Sequence, residues 1–327
     1  MELYPLKFDP IFKERIWGGK RLETHFGKNP GGKNNIGESW ELSAVEDNVS
    51  VVSNGYLAGN DLQELIEVYM GELVGEKVFD QFGQEFPLLI KLIDANEDLS
   101  IQVHPDYEVS RKRHNAYGKT EMWVALDDSE NSKLITGFNQ DTNQETFLKK
   151  LKDNTVTELF NYEPVKKGDC FFVPAGRVHA ICSDNLIAEI QQTSDVTYRI
   201  YDYDRKDNDG NGRELHLDLA LDVIDYSKVK DPRVNYVPEK NKPVELVSCK
   251  YFTTNRLTLT RPVERDYYSI DSFVIFLCAE GACEIRKKDK LTEIIKKGDT
   301  VLIPASMNSI ELKPVSEQVE LIEVYIK

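Results

Sequence analysis

The chain has 327 residues, and its 56 Asp and Glu against 41 Lys and Arg give a formal net charge of −15. At roughly 150 residues per domain, that length points to about two domains, each able to bury a core of its own. A composition of 40% hydrophobic and 30% charged residues excludes the disordered, collagen-like and low-complexity classes. An acidic surface disfavours nucleic acid and anionic membrane as partners, while a few local cations can still hold a small anionic substrate.

Short runs alternating apolar and polar residues, rich in Val, Ile, Phe and Tyr, predict a mainly β fold with a few short helices. Early in the chain, the stretch from Gly27 to Asn34 approaches a phosphate-binding loop. Asn34 stands where Ser or Thr is needed and Pro30 sits inside, so it reads as a glycine-rich surface loop. Asp61 and Glu64 form the pattern of a capping box ahead of Leu62, Leu65, Ile66 and Tyr69, which fall on one helical face. Further helices are expected near Gln144 to Leu151 and Leu215 to Ile224.

From Leu99 to His104, apolar and polar residues alternate, so Ser100, Gln102 and His104 project from one face of a strand. That face is either a solvent-exposed sheet surface or a barrel interior in which Gln and His ligate a metal and Ser holds a substrate oxygen. The basic run Arg111 to His114 reads as a helix end or solvated loop. Gly118 to Val124 begins another strand, with Glu121 and Trp123 on one face. With His104 and His179, Glu121 makes up a two-His, one-carboxylate set that suits Zn²⁺ or Fe²⁺ and leaves positions open for substrate.

An internal repeat governs the architecture. Lys166-Lys167-Gly168-Asp169 leads to Val173-Pro174-Ala175, and Lys296-Lys297-Gly298-Asp299 leads to Ile303-Pro304-Ala305, 130 residues further on. Each copy reads as a turn, a buried strand and a second turn, the corner of a repeated β-barrel. Downstream, Glu189, Gln191 and Thr193 alternate with apolar residues, and Asp195 to Tyr203 reads as a strand with Thr197, Arg199 and Tyr201 sharing a face. Arg199 is either a surface residue paired with a carboxylate or a fixed cation for an anionic intermediate. Asp207, Asp209, Asn211, Gly212 and Asp218 imitate a calcium loop, but a strand rather than a helix precedes them, so a polar turn is expected. His25, His114 and His216 have no evident partners. Asp231 to Pro243 is the expected linker between an N-terminal metal-binding domain (1–230) and a C-terminal domain (244–327).

Gly168, Pro174, Gly176 and His179 resemble the second sequence motif of the cupin superfamily. In the second copy, Ser306 and Ser309 replace the Gly and the His, so a second metal site is not expected. Taken in order, Arg15 to Gly19, Gly37 to Glu41, Ser100 to Pro105, Gly118 to Trp123, Pro174 to Ala180 and Thr197 to Arg205 resemble type I mannose-6-phosphate isomerases of the short bacterial form.

The resemblance implies two cupin-type jelly-roll barrels, the second of them degenerate. It implies one Zn²⁺ held by Gln102, His104, Glu121 and His179, and Arg199 as the active-site arginine. Ser100 and Lys119 match positions that bind the sugar phosphate. Glu189, Asp195 and a metal-bound water are the candidates for proton transfer. The reaction expected is reversible conversion of mannose 6-phosphate to fructose 6-phosphate through an enediol or enediolate. The His-x-His of a generic cupin is absent, which weakens an oxygenase reading; that reading and a non-catalytic sugar-binding cupin are the alternatives.

Five cysteines without a C-x-x-C pair, and a start lacking the regions of a signal peptide, lead us to expect reduced thiols and a cytoplasmic monomer or homodimer. The longest apolar run, Phe273 to Ala279, is far short of the roughly 20 residues that cross a bilayer.

Overall fold

The computed structural model describes residues 2–206, 210–288 and 290–327. Four sheets stack in layers, with two six-stranded sheets in the middle. The first runs Cys170–Val173, Glu121–Ala125, Asn185–Gln192, Leu88–Ala95, Ile36–Leu42, Ile11–Gly19. A five-stranded sheet faces it, in the order Phe160–Pro164, Lys133–Phe138, His179–Ile181, Ile101–Val103, Tyr198–Tyr201. The second six-stranded sheet contains Thr300–Ile303, Val274–Glu280, Val319–Tyr325, Thr253–Leu259 and Pro243–Ser248, and a four-stranded sheet covers its other face. Each half is therefore a pair of facing sheets, the jelly-roll arrangement expected.

Period-two alternation assigns each strand's residues to a layer. On Leu88–Ala95, Leu88, Ile90 and Leu92 enter the core between the two six-stranded sheets, where they meet Ile275, Leu277, Ile322 and Val324. Ile93 and Ala95 face the other way, into the first jelly roll with Trp123 and Ile187. Because both faces are covered, the strand is buried along its whole length. This explains its near-continuous apolar sequence, interrupted by Lys91 and Asp94.

The two copies of the repeat fold alike. Gly168 and Gly298 have φ of 88° and 87°, in the left-handed region that favours glycine. Their N–H groups donate to Ala125 O and Cys278 O, each at 2.8 Å. The Asp169 and Asp299 carboxylates accept from the N–H of Lys166 and Lys296 at 2.9 and 3.1 Å.

The capping box is present: Asp61 accepts from Glu64 N at 2.8 Å and Glu64 accepts from Asp61 N at 3.1 Å, and Leu62, Leu65 and Ile66 are buried. The helix expected from Gln144 runs Gln144–Lys152. That expected over Leu215 to Ile224 is shorter, Leu217–Leu221, because His216 is occupied by the neighbouring strand. Asp207 and Asp209 of the calcium-like stretch lie outside the described residues; the preceding element is the strand Tyr198–Tyr201.

The segment 231–243 packs along the first jelly roll. Val234 N donates to Cys170 O at 2.8 Å, and Arg233 pairs with Asp169 at 3.0 Å. At the other end of the chain, Leu6–Lys7 pairs with Thr300–Ile303 in the C-terminal sheet. No helix among the described residues is long and apolar enough to cross a membrane.

Candidate active site

Ile101–Val103 and His179–Ile181 are neighbours in the five-stranded sheet, with Gln102 opposite His179 on one side and opposite Arg199 on the other. Ile101 and Val103 point outward into an apolar cluster with Phe138 and Ala180. Ser100, Gln102 and His104 therefore face inward, between the two facing sheets, rather than forming a solvent-exposed sheet surface. Glu121 enters from the facing sheet. His104, Glu121 and His179 are all at most 1% exposed, and one ligand atom from each lies within 4.8 Å of the others.

The donor chemistry of this cluster calls for a cation. His104 Nδ1 lies 3.0 Å from Val196 O and His179 Nδ1 lies 2.8 Å from Arg177 O. A carbonyl accepts only, so each Nδ1 carries the proton and each Nε2 presents a lone pair. The two Nε2 atoms are 3.1 Å apart and stand 3.4–3.5 Å from the Glu121 carboxylate oxygens, which accept no well-directed hydrogen bond. Lys119 Nζ offers positive charge here, 2.9 Å from both His104 Nε2 and Glu121 Oε2.

Burial, reinforced by the Lys119 charge, holds the His104 imidazole far below its ordinary pKa, and burial takes His179 down to about 3. Both are therefore neutral at neutral pH, the form able to bind a cation. Burial and the charge of Glu189 raise Glu121 to about 7 against the pull of Lys119. A bound cation would favour its ionised form. Two imidazoles and a carboxylate aimed at one point fit a divalent metal.

A pocket of about 500 Å³ adjoins the cluster and is lined by Ser100, Gln102, Lys119, Glu189, Asp195 and Arg199. Glu189 is buried in its wall. Its Oε1 accepts from Lys91 Nζ at 3.0 Å and its Oε2 from Trp123 Nε1 at 2.9 Å. Burial works to raise the Glu189 pKa, but Lys91 and then Lys119 outweigh it and hold the carboxyl at about 2. Asp195 is exposed at the mouth. Arg199 Nη1 donates to Glu214 O at 2.7 Å, and its buried Nε has no partner among the described residues.

Thr197 lines the pocket beside Arg199 as alternation predicts, but Tyr201 does not. A register shift between Arg199 and Tyr201 turns that ring into the outer apolar cluster, against Tyr203. His114 and His216 also gain partners: His114 Nε2 lies 2.8 Å from Tyr198 OH, and His216 Nδ1 accepts from Arg199 N at 3.1 Å.

Sequence reasoning missed three groups. Lys91 is one, although a lone Lys inside Leu88–Ala95 was a visible signal. A second is Glu38, which accepts from Arg15 Nε at 2.8 Å and Trp40 Nε1 at 2.6 Å. The third is Arg213, oriented into the pocket by Asp202; nothing in its local sequence marks it.

Residues 5–140 match the model of the phosphomannose isomerase type I catalytic domain, and residues 242–326 match the mannose-6-phosphate isomerase cupin domain. The mannose-6-phosphate isomerase ManA of Bacillus subtilis is 36% identical over 321 residues, spanning 97% of this chain and 98% of that protein. The chain belongs to the type I mannose-6-phosphate isomerase family. It is accordingly a metal-dependent aldose–ketose isomerase, and the readings as a binding module or an oxygenase are set aside. A probable mannose-6-phosphate isomerase of the same organism, GmuF, is 42% identical over 72% of this chain and 73% of its own length. The crystal structure of the Bacillus subtilis mannose 6-phosphate isomerase superposes with a TM-score of 0.88 at 34% identity, covering 99% of this chain and 100% of that one.

Proposed function

We propose that this chain interconverts mannose 6-phosphate and fructose 6-phosphate at a zinc site formed by Gln102, His104, Glu121 and His179. The observation that carries the reading is the convergence of two Nδ1-anchored histidines and Glu121 at the edge of a pocket rich in cations. When bound, zinc supplies a Lewis acid that polarises the sugar carbonyl and holds sugar oxygens.

The chain's own groups account for the proton. Glu189 accepts the hydrogen of C2 as a proton and returns it to C1, while the hydroxyl hydrogen passes from O2 to O1, so an aldose becomes a ketose through an enediol or enediolate. Lys91 and Trp123 hold its carboxylate ionised in the pocket wall, so that an acceptor oxygen is presented to the substrate. Asp195, exposed at the mouth, is worse placed to exclude water from the exchange. Arg199 stabilises negative charge developing on a sugar oxygen. Ser100 and Lys119 hold the sugar phosphate. The burial of Lys119 beside Glu121 favours a sugar oxygen near the reacting carbons as its partner. Five free thiols agree with a cytoplasmic setting.

The test is a coupled assay for fructose 6-phosphate formed from mannose 6-phosphate, run before chelation, after it, and after Zn²⁺ is restored. Activity that disappears and returns supports the proposal. No turnover by folded, metallated protein rules this substrate out.

A further inference from the structure

Trp123 lies directly opposite Glu189 on neighbouring strands, and Lys91 is opposite Glu189 on the other side. The repeat supplies an internal comparison. Beyond the matching Gly168 and Gly298 turns, Cys170 is paired with Val124 and Thr300 with Leu277, which makes Phe276 the counterpart of Trp123. Phe276 in turn is paired with Glu323, the counterpart of Glu189, and Asn255 stands where Lys91 does. Both halves thus bury a carboxylate at the same place in the sheet.

They hold it differently. Glu323 is fully buried and accepts from Arg265 through Nε and Nη2 at 3.0 Å, from Asn255 Nδ2 at 2.7 Å and from the Tyr267 hydroxyl, so its acceptor capacity is filled internally. An aromatic ring without a donor suffices beside it. Glu189 borders the substrate pocket and has two donors, one of which is an indole N–H. The half that carries the histidine cluster is thus also the half in which this ring carries a donor. The Trp123 ring is itself held: it is 1% exposed and meets the His179 imidazole nearly edge-on, at 5.4 Å and 68°.

We infer that Trp123 is a positioning residue for the isomerisation, its indole N–H fixing the Glu189 carboxylate so that one oxygen addresses the sugar carbons. The inference rests on the reading of Glu189 as proton carrier. Two donors from different strands leave the carboxylate a single orientation, whereas Lys91 alone, at the end of a flexible stem, would let it rotate.

The experiment is a double-mutant cycle between Trp123→Phe and Glu189→Gln, with kcat, KM and bound metal measured for every variant. A second replacement of Trp123, by benzothienylalanine, keeps the bicyclic shape and removes only the N–H donor. Expected are a fall in kcat of roughly tenfold to a hundredfold for both Trp123 variants, the range given by losing one hydrogen bond to a charged group. KM and metal content should hold, and no further loss should appear in the Glu189→Gln background. Unchanged kcat in the benzothienylalanine variant overturns the inference. So does a loss that tracks metal content, which would mean that Trp123 serves His179, or one that is equal in both backgrounds. If Glu189→Gln itself keeps full kcat, the proton-carrier reading falls first and the inference with it.

Discussion

Arg199 and His216 are joined twice: Arg199 N donates to the His216 ring at Nδ1, 3.1 Å away, and His216 N donates to Arg199 O at 2.8 Å. The strand that carries the guanidinium is thereby fastened just where its register shifts. Arg199→Ala should lower kcat by about 10²–10³, the range for losing one donor to a developing oxyanion, while bound metal stays at the wild-type level. Parallel loss of metal and activity would remove its separate catalytic role.

Changing Glu121, a proposed metal ligand, should have the opposite signature. Glu121→Gln keeps the shape but leaves two lone-pair nitrogens without a carboxylate partner, so metal affinity should fall by more than tenfold and activity should return only with excess Zn²⁺. Metal titration of the variant beside the parent protein measures this.

Lys91 and Glu189 form a buried pair, and removing one partner strands the other. Lys91→Met should cost about 3–5 kcal/mol, read from chemical denaturation. The pH dependence follows from the sign of the shift. Glu189 has a folded pKa of about 2, below the ordinary carboxylate value of 4.5, so its contribution to stability is full above pH 4.5 and drains as pH falls towards 2. Between those pH values the parent should lose stability more steeply than Lys91→Met, in which the cation that depresses Glu189 is gone.

A carboxylate of the C-terminal half caps a helix of the N-terminal half. Asp271 accepts from Glu76 N and Lys77 N, both at 3.0 Å, at the start of Glu76–Phe82, where Gly75 has no side chain to do so. Asp271→Ala should cost about 1–2 kcal/mol, from the lost cap and from placing Ala at a left-handed φ of 51°. A Tm lowered by a few degrees with unchanged kcat is the expected result.

What could be read in advance was whatever depends on short-range spacing. The alternation through Ser100, Gln102 and His104, the strand carrying Glu121, and the two Lys-Lys-Gly-Asp turns are local patterns, and the structure places them as expected. Tyr201 escaped because a register shift breaks the period of two that the reading assumed. His216 escaped because its partner, Arg199, lies 17 residues away and its role is to accept from a backbone N–H. Glu38 and Arg213 owe their places to long-range folding, which brings the strand Ile36–Leu42 and the segment held by Asp202 to one pocket.

The pairing of Leu6 with Leu302 sets an order on synthesis. Leu6 is synthesised long before Leu302, so its place in the sheet exists only after the strand Thr300–Ile303 has emerged. Until then the apolar flank shared by the two six-stranded sheets, including Leu6, Ile90 and Leu302, has nothing to cover it. The N-terminal jelly roll therefore gains its full apolar cover only when the strands of the second six-stranded sheet have folded against it.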